Sequence, residues 1–316
     1  TLSAGWKAHT LHRPPHISLG QPLHHSLHFV KLLQQTIDFL YCRSAAESDP
    51  AAAAALNHAA DIAAAQPDTA GDGYRYTKSE GAYLSCFGGS SSHPNGYCAL
   101  VPVNREIWIK PDGSGRIVES RGEPIWFGPA DRAAWQAEGF PDLRGQPSDT
   151  RFGPTPPGVD PWVAQVWPGS LYYQNVDALP TDVGALRQMI DERATANGGR
   201  ATDYERFTIV GDLLRETVAA PKVRAALYRV AASLNGVELV GSMTDRAGRT
   251  GTAVSMTNDQ SSRGLERRVL IFDPQTSVLL AGEDVLLHKV DWLDAEPPLV
   301  IGYNTYLTSE IVPTIP

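Results

Sequence analysis

Two cysteines and a histidine lie in one short stretch that could bind a metal or form a disulfide. The stretch is CFGGSSSHPNGYC, residues 86–98, with Cys86 and Cys98 at its ends and His93 between them. A structural zinc site needs about four protein ligands and a catalytic one about three, and a C-x-x-C pair is missing here. A disulfide across this loop would stabilise the fold by roughly 3 kcal/mol. These residues favour a disulfide, with reduced thiols and a metal site as the alternatives.

Histidines are concentrated near the start of the chain, where six of the nine lie in the first fifty residues. His24 and His28 are four residues apart, so they would share one face of a helix and are the weak candidates for a metal site. The prolines and the glycine in HRPPHISLGQPLHH favour irregular chain instead. We therefore predict no metal and no other cofactor.

Three glutamates near the first predicted hairpin could supply the paired carboxylates of a glycosidase: Glu106, Glu119 and Glu123. Three arginines stand among them and offer ordinary ion-pair partners: Arg105, Arg116 and Arg121. The sequence contains no G-x-S-x-G, H-E-x-x-H, P-loop or G-x-G-x-x-G motif. Ion pairing is therefore the favoured reading, and the sequence favours a protein that is not an enzyme. A hydrolase that uses strand carboxylates or a metal is the alternative.

Composition limits the class of protein further. The chain has 316 residues, of which 42% are hydrophobic, so it can bury a sizeable core. Its net charge of −8 argues against binding nucleic acid through this region, because phosphates need a basic surface. No run of about 18–20 apolar residues, the length that spans a bilayer, occurs in the sequence.

Hydrophobic spacing predicts the elements that must position these side chains. A helix should begin after Asp49, which is a plausible N-cap, with Pro50 at the first helical position. Alternating residues follow in YRYTKSEGAYLS, and PDGSG predicts a hairpin between VNREIWIK and GRIVESR. A short helix closed by Gly139 comes next, and then three amphipathic helices precede a second group of strands.

This order of strands, helical insertion and strands predicts an α+β fold. We expect a curved antiparallel sheet, half-barrel-like, with the helical insertion packed on one face. The predicted strands are 74–84, 103–110, 116–121, 237–243, 250–256, 267–272, 278–287 and 299–308, and the inserted helices are 183–196, 204–217 and 221–234. We divide the chain into a His-rich segment, 1–49, that is a leader or a non-native stretch, and one extracytoplasmic α+β domain, 50–316.

Several segments carry a resemblance to a known family. They are REIWIKPDGSGRIVESRGEPIWFGPADRAAWQAEGFPDL, LPTDVGALRQMIDERA, FTIVGDLLRETVAAPKVRAALYRVAASLNGVELVG, DRAGRTGTAV, LIFDPQTSVLL and VIGYNTYL. Together they resemble an uncharacterised actinobacterial family of membrane-anchored proteins, often encoded beside extracytoplasmic-function sigma factors. The resemblance covers residues 50–310 and implies an exported domain, while residues 1–49 depart from the family's membrane anchor. More remotely, the element order is similar to the half-barrel carriers of lipoproteins and lipids.

We therefore expect a non-enzymatic exported sensor or ligand-binding domain, with a signalling role tied to sigma-factor regulation. Its partner would be an apolar small molecule such as a lipid, or another protein. A concave sheet covered by helices would place the ligand in a groove, although alternation does not tell which side chains face inward. The candidate ligand-binding residues are Tyr74, Tyr76, Trp108, Val118, Ile271 and Tyr303. The further alternative is a structural or assembly protein without a ligand.

Overall fold

The computed structural model describes residues 49–67, 73–88, 96–154, 164–165, 171–172, 179–196, 201–215, 219–293 and 295–316. Its helices are α1 Pro50–Ala65, α2 Pro129–Ala137, α3 Val183–Ala196, α4 Asp203–Leu214 and α5 Pro221–Ala232. Its strands are β1 Tyr74–Phe87, β2 Tyr97–Ile109, β3 Gly115–Arg121, β4 Ile125–Trp126, β5 Ser148–Phe152, β6 Ala164–Gln165, β7 Leu171–Tyr172, β8 Val237–Thr244, β9 Thr250–Asn258, β10 Glu266–Phe272, β11 Leu279–Leu286 and β12 Leu299–Val312. The predictions for His24, His28, His93 and segment 1–49 fall outside the described residues, apart from Asp49.

One open antiparallel sheet of ten strands organises these elements. Its order is β5-β3-β2-β1-β12-β11-β10-β9-β8, and the short strand β4 pairs with the start of β2. The first and last parts of the chain therefore build one sheet, and the helices α3, α4 and α5 are inserted between them. This arrangement confirms the predicted α+β class with a helical insertion.

The two halves of the sheet meet where β1 pairs with β12. The register runs from Tyr74 opposite Val312 to Tyr83 opposite Gly302, with one bulge between Lys78 and Ser79. Gly81 lies in the middle of this seam, and a Cβ there would come within 2.6 Å of the Tyr303 carbonyl oxygen. A side chain at this position would push the two strands apart, so the close pairing requires glycine.

Four helices cover one face of the sheet over its C-terminal strands. Val254, Leu270 and Phe272 point to this inner face and belong to one apolar core with α1, α3, α4 and α5. Their sequence neighbours Ala253 and Ile271 point to the opposite, outer face and form a separate small cluster. Because side chains alternate along a strand, strand register assigns the rest of the sheet to one face or the other.

Helix α1 begins and packs as its sequence predicts. The Asp49 side chain accepts a hydrogen bond from the Ala51 N–H at 2.9 Å, and Pro50 occupies the first turn. Asp49 also accepts from the Leu239 N–H of β8 at 3.1 Å, which fixes the helix start to the sheet edge. The buried face of α1 consists of small residues and one leucine: Ala52, Leu56, Ala59, Ala60 and Ala63. Small side chains allow α1 to lie close to α5.

A buried arginine joins the helical insertion to the sheet. Arg268 on β10 donates to Asp212 of α4 at 2.9 Å and lies 3.8 Å from Asp284 of β11. Burial alone would lower the pKa of Arg268, but the two carboxylates outweigh it and raise that pKa. The guanidinium therefore stays charged between helix and sheet, and removing either carboxylate would leave it less well compensated.

The sheet is strongly curved at its C-terminal side. Arg246 lies in the turn between β8 and β9, yet its guanidinium is 3.9 Å from the ring centroid of Tyr303 on β12. In a flat sheet, β9 and β12 would be about 14 Å apart, which is three strand spacings. The β8–β9 hairpin therefore bends over the outer face of β11 and β12. The sheet is curved as predicted, but it is concave on the outer face, so the prediction that the helices cover the concave face is wrong.

We expect the buried Tyr228 hydroxyl to anchor α5 on the sheet. It donates to the Ser277 carbonyl in the β10–β11 turn at 2.7 Å, and Tyr228 is 1% exposed. Tyr228→Phe should leave that carbonyl unsatisfied and lower the free energy of unfolding in urea by about 1–3 kcal/mol. The matched control is Tyr74→Phe, at the half-buried surface of β1, which should change it by less than about 0.5 kcal/mol. Equal effects of the two changes would contradict this role.

Candidate functional site

The six residues predicted to bind a ligand share one face of the sheet. Tyr74, Tyr76, Trp108 and Val118 are on the outer face of β1, β2 and β3, by the register that pairs these strands. Ile271 and Tyr303 are on the same outer face, farther along the sheet. The helices cover the inner face, so these residues do not line a gap between sheet and helices. Their role in binding a ligand stays a prediction.

Tyr74, Tyr76 and Trp108 form a ladder in which each ring contacts another ring or a charged neighbour, and the Lys110 ammonium lies 4.7 Å from the Tyr74 ring centroid. Tyr76 stacks on Trp108 at 4.9 Å between ring centroids, and the Tyr76 hydroxyl donates to Glu106 at 2.5 Å. The Arg116 guanidinium lies 5.6 Å from the Trp108 ring centroid, and Trp108 is 5% exposed. Because both faces of the indole are occupied, the ladder stabilises the hairpin and leaves little ring surface for a ligand.

The three glutamates proposed for a glycosidase point in different directions. Glu106 lies on the outer face, whereas Glu119 lies on the inner face, opposite Arg105. Arg105 donates to Glu119 at 2.9 Å, and Arg144 donates to Glu123 at 2.6 Å. The predicted ion pairing is confirmed for Glu119 with Arg105, whereas Glu123 pairs with Arg144, which is not one of the three predicted arginines. Glu106 and Glu119 lie on opposite faces of the sheet, so they do not converge on one substrate position.

The structure raises the pKa of the Glu283 carboxyl. Burial is the main cause, and Arg246, 3.4 Å away, opposes it. A carboxyl with a raised pKa is the kind of group that acid–base catalysis uses. Here its partner Arg246 is also stacked on Tyr303, so the three side chains hold the β8–β9 hairpin over the sheet.

The raised pKa of Glu283 predicts a pH dependence of stability. A raised pKa in the folded state means that the charged form is less stable there than in the unfolded chain, which costs stability as pH rises through that pKa. Glu283→Gln should therefore raise the unfolding temperature at pH 7 and have no effect below about pH 4, the range where an unfolded glutamate is protonated. A loss of stability at pH 7 would show that the ion pair with Arg246 outweighs burial.

The two cysteines predicted to pair do form a disulfide. Cys86 on β1 and Cys98 on β2 are directly opposite each other, with their Cα atoms 4.2 Å apart. Nearby on β1 and β2, Phe87 stacks on Tyr97. We call the side of the sheet on which these strand ends lie the disulfide end. It includes the starts of β2, β4 and β12, and the last residues of β1 and β11.

Helix α2 is held at the disulfide end by a side chain and by aromatic contacts. Asp131 of α2 accepts a hydrogen bond from the Cys98 N–H at 2.9 Å. Rings then contact in sequence, with centroids 6.0 Å apart for Tyr97 and Trp126, 5.1 Å for Trp126 and Trp135, and 5.0 Å for Trp135 and Phe140. A row of aromatic rings therefore extends from the disulfide to the protein surface.

Large apolar side chains are exposed at this end. The described residues of this kind that are exposed are Phe140 at 59%, Ile125 at 47% and Trp292 at 39%. Ile125 is on β4, Phe140 follows α2, and Trp292 lies between β11 and β12. The neighbouring residues Phe127 and Leu293 belong to one apolar cluster with Cys98, which places the segments of Ile125 and Trp292 at the disulfide end. Phe140 is connected to this end through the row of rings that begins at Tyr97. Single exposed apolar residues are common on proteins, so their exposure makes these three residues candidates for contact with a partner and no more.

Phe140 is unusual in its backbone as well as in its exposure. Its φ is 60°, in the left-handed region that glycine and asparagine favour, and it follows Gly139 at φ 84°. Pro141 disfavours a right-handed helical conformation for the residue before it, so α2 cannot continue through Phe140, but proline alone would favour extended backbone there and not this positive φ. A strained backbone that presents an exposed aromatic ring is a functional candidate. The sequence signal is the triplet Gly139, Phe140 and Pro141, of which the prediction from sequence used only Gly139, as the end of the helix.

No protein-family model matches the chain, and comparisons with curated proteins and with solved structures reveal no similar protein. Within the described ranges, no helix is long and apolar enough to cross a membrane. The same ranges hold no group of three or more His, Cys, Asp or Glu side chains placed to bind a metal ion. The resemblance to a membrane-anchored family therefore stays a prediction.

We expect the disulfide to be a stabilising cross-link. Thiol counting on denatured, unreduced protein should find one thiol per chain, from Cys42, whereas three would contradict the bond. Replacing both Cys86 and Cys98 with serine should lower the free energy of unfolding by about 3 kcal/mol, because the bond closes a loop with a sequence separation of 12. Urea unfolding with and without reductant measures this loss. The double variant should show no further effect of the reductant.

Proposed function

We propose that this protein is a non-enzymatic, extracytoplasmic docking domain that contacts an apolar partner surface through its disulfide end. The observation that carries the proposal is the exposure of Ile125, Phe140 and Trp292 at one end of the sheet. Large apolar side chains exposed at one end of a domain are the residues that an apolar partner surface would bury. The sheet and its helices would then serve as a rigid support for that surface.

The support beneath the exposed residues is rigid, as a docking surface needs to be. Asp131 ties α2 to the backbone of β2 at Cys98, and the Trp135 indole N–H donates to the Pro141 carbonyl at 2.8 Å. The second bond closes the turn that presents Phe140. Side chains held in place before binding lose less conformational entropy when a partner arrives, which favours affinity.

The disulfide supports an extracytoplasmic location, because disulfides persist in oxidising compartments and are rare in the cytosol. The link to sigma-factor regulation that the family resemblance implies remains part of this proposal. A sensor role would require the domain to change when the disulfide end binds its partner.

The hydrolase alternative has less support. Its candidate carboxylates point to different faces of the sheet or are paired with arginines. Glu283 has the raised pKa of a catalytic acid, but it is engaged by Arg246. The small-ligand alternative retains the outer-face residues as its candidates.

Photo-crosslinking in cells of the native host tests the proposal. Benzoylphenylalanine in place of Gln136, exposed on α2, should form crosslinked products with lipid or protein. The matched control replaces Gln275, which is exposed in the β10–β11 turn at the opposite end of the sheet. Crosslinking only from position 136 would support docking through the disulfide end. Equal crosslinking from both positions, or none from position 136, would contradict it.

A further inference from the structure

A second contact surface lies on the outer face of β3 and β5, at the end of the sheet opposite the disulfide end. We propose that Arg116 and Arg151 form a binding site there for a main-chain oxygen of an extended peptide segment with the pattern P-x-x-P. Residues 313–316, with the sequence PTIP, follow β12 and occupy this site in the structure. This inference does not depend on docking through the disulfide end.

Two guanidinium groups converge on one main-chain oxygen. The Pro316 oxygen accepts a hydrogen bond from Arg116 at 2.8 Å and another from Arg151 at 3.0 Å. The two arginines are directly opposite each other on β3 and β5, and Arg116 is also opposite Trp108, so both lie on the outer face. Hydrogen bonds from charged donors are about twice as strong as those between neutral groups. The pair of arginines is therefore a strong contact for a main-chain oxygen.

Other side chains hold Arg116 in position for this contact. Its Nε and one terminal nitrogen donate to the two carboxylate oxygens of Asp149, both at 2.7 Å, and its other terminal nitrogen donates to Pro316. The guanidinium also lies 5.6 Å from the ring centroid of Trp108. A donor that is fixed in this way loses little conformational entropy when it binds. The ladder of aromatic rings therefore contributes by supporting Arg116.

The bound segment is not a continuation of the sheet. Pairing of β12 with β1 ends where Val312 lies opposite Tyr74, and Pro313 follows without an N–H to donate. Residues 314–316 adopt neither helix nor strand. β12 and β3 are three strand spacings apart, about 14 Å, which is close to the length of four extended residues. The segment therefore crosses β1 to reach the Arg116 guanidinium.

The bound segment indicates the chemistry of the ligand. A polyproline II segment has no internal hydrogen bonds, so its carbonyl oxygens remain available to donors such as arginine. Pro313 and Pro316 fix φ at both ends of the segment, which reduces the entropy lost on binding. Ile315 is half-buried, so an apolar side chain before the second proline adds to the contact. An extended P-x-x-P peptide with an apolar residue at that position fits the surface.

The attached segment competes with any free peptide for the two arginines. Because it is tethered directly to β12, its effective concentration at the site is millimolar or higher. A free peptide of the same sequence should therefore bind the wild-type chain weakly. Weakening the attached segment should open the site to that peptide.

Calorimetric titration with a synthetic peptide tests this inference. The probe is the acetylated peptide IVPTIP, residues 311–316, prepared both with a free carboxylate and as the amide. The full-length variant Pro313→Gly, Ile315→Gly, Pro316→Gly should release the attached segment and bind the peptide at least about tenfold more tightly than the wild type. Adding Arg151→Gln to this glycine variant should then weaken binding at least about tenfold. Arg151 is exposed, so this change should leave the fold intact.

Two controls test the specificity of the site. Adding Arg144→Gln to the glycine variant changes another exposed arginine, one that donates to Glu123, and should leave peptide binding unchanged. The peptide IVGTIG, with glycine in place of both prolines, should bind at least about fivefold more weakly than IVPTIP, because it loses more conformational entropy. Circular dichroism of each variant should match the wild type.

The outcomes separate the parts of the inference. Absence of binding to the glycine variant, equal binding to the glycine variant and the wild type, or equal binding after Arg151→Gln would each overturn it. Equal binding of IVGTIG would overturn the assignment to proline-containing segments. Equal binding of the acid and amide peptides would support recognition of a main-chain carbonyl, and tighter binding of the acid would support recognition of a peptide carboxylate by the same arginines. Crosslinking from position 136 tests docking separately.

Discussion

The pairing of β1 with β12 is the constraint on which the rest of the structure depends. It joins a sheet made by the first strands to a sheet made by the last ones, across more than two hundred residues of sequence. The seam tolerates no side chain at Gly81, because the Tyr303 carbonyl oxygen lies within 2.6 Å of where its Cβ would be. Bringing together strands so distant in sequence costs loop-closure entropy. The packing of the inserted helices on the sheet that β1 and β12 complete contributes free energy that offsets this cost.

The two ends of the completed sheet differ in chemistry. At the disulfide end, the covalent bond, Asp131 and a row of aromatic rings hold β4 and α2 against β2. At the opposite end, tight polar turns such as the one closed by Asp273 join the strands. Among the described residues, the exposed large hydrophobic side chains, Ile125, Phe140 and Trp292, belong to segments at or next to the first end. The docking proposal is based on this difference in polarity between the two ends of the strands.

Local signals predicted the elements well and the surface poorly. Asp49 with Pro50 and the Asp112-Gly113 turn act through neighbouring residues, so their structural effect is readable from sequence, and both are observed. Alternation correctly placed Trp108 and Val118 on the same face of the sheet. It does not tell which face the helices cover, and the helices cover the face opposite to these two residues. The exposure of Phe140 depends on how α2 is fixed to a distant strand. No short-range pattern contains that information, although the triplet Gly139, Phe140 and Pro141 marks an unusual backbone.

Hydrogen–deuterium exchange of the full chain, with and without phosphatidylcholine vesicles, tests the central claim most directly. That claim is that the protein meets an apolar surface with its disulfide end. The account predicts slower exchange with vesicles in residues 125–140 and 287–293, and unchanged exchange in the turns 110–114 and 273–278 at the opposite end. Slower exchange in those turns, or exchange at the disulfide end that the vesicles leave unchanged, would contradict the account.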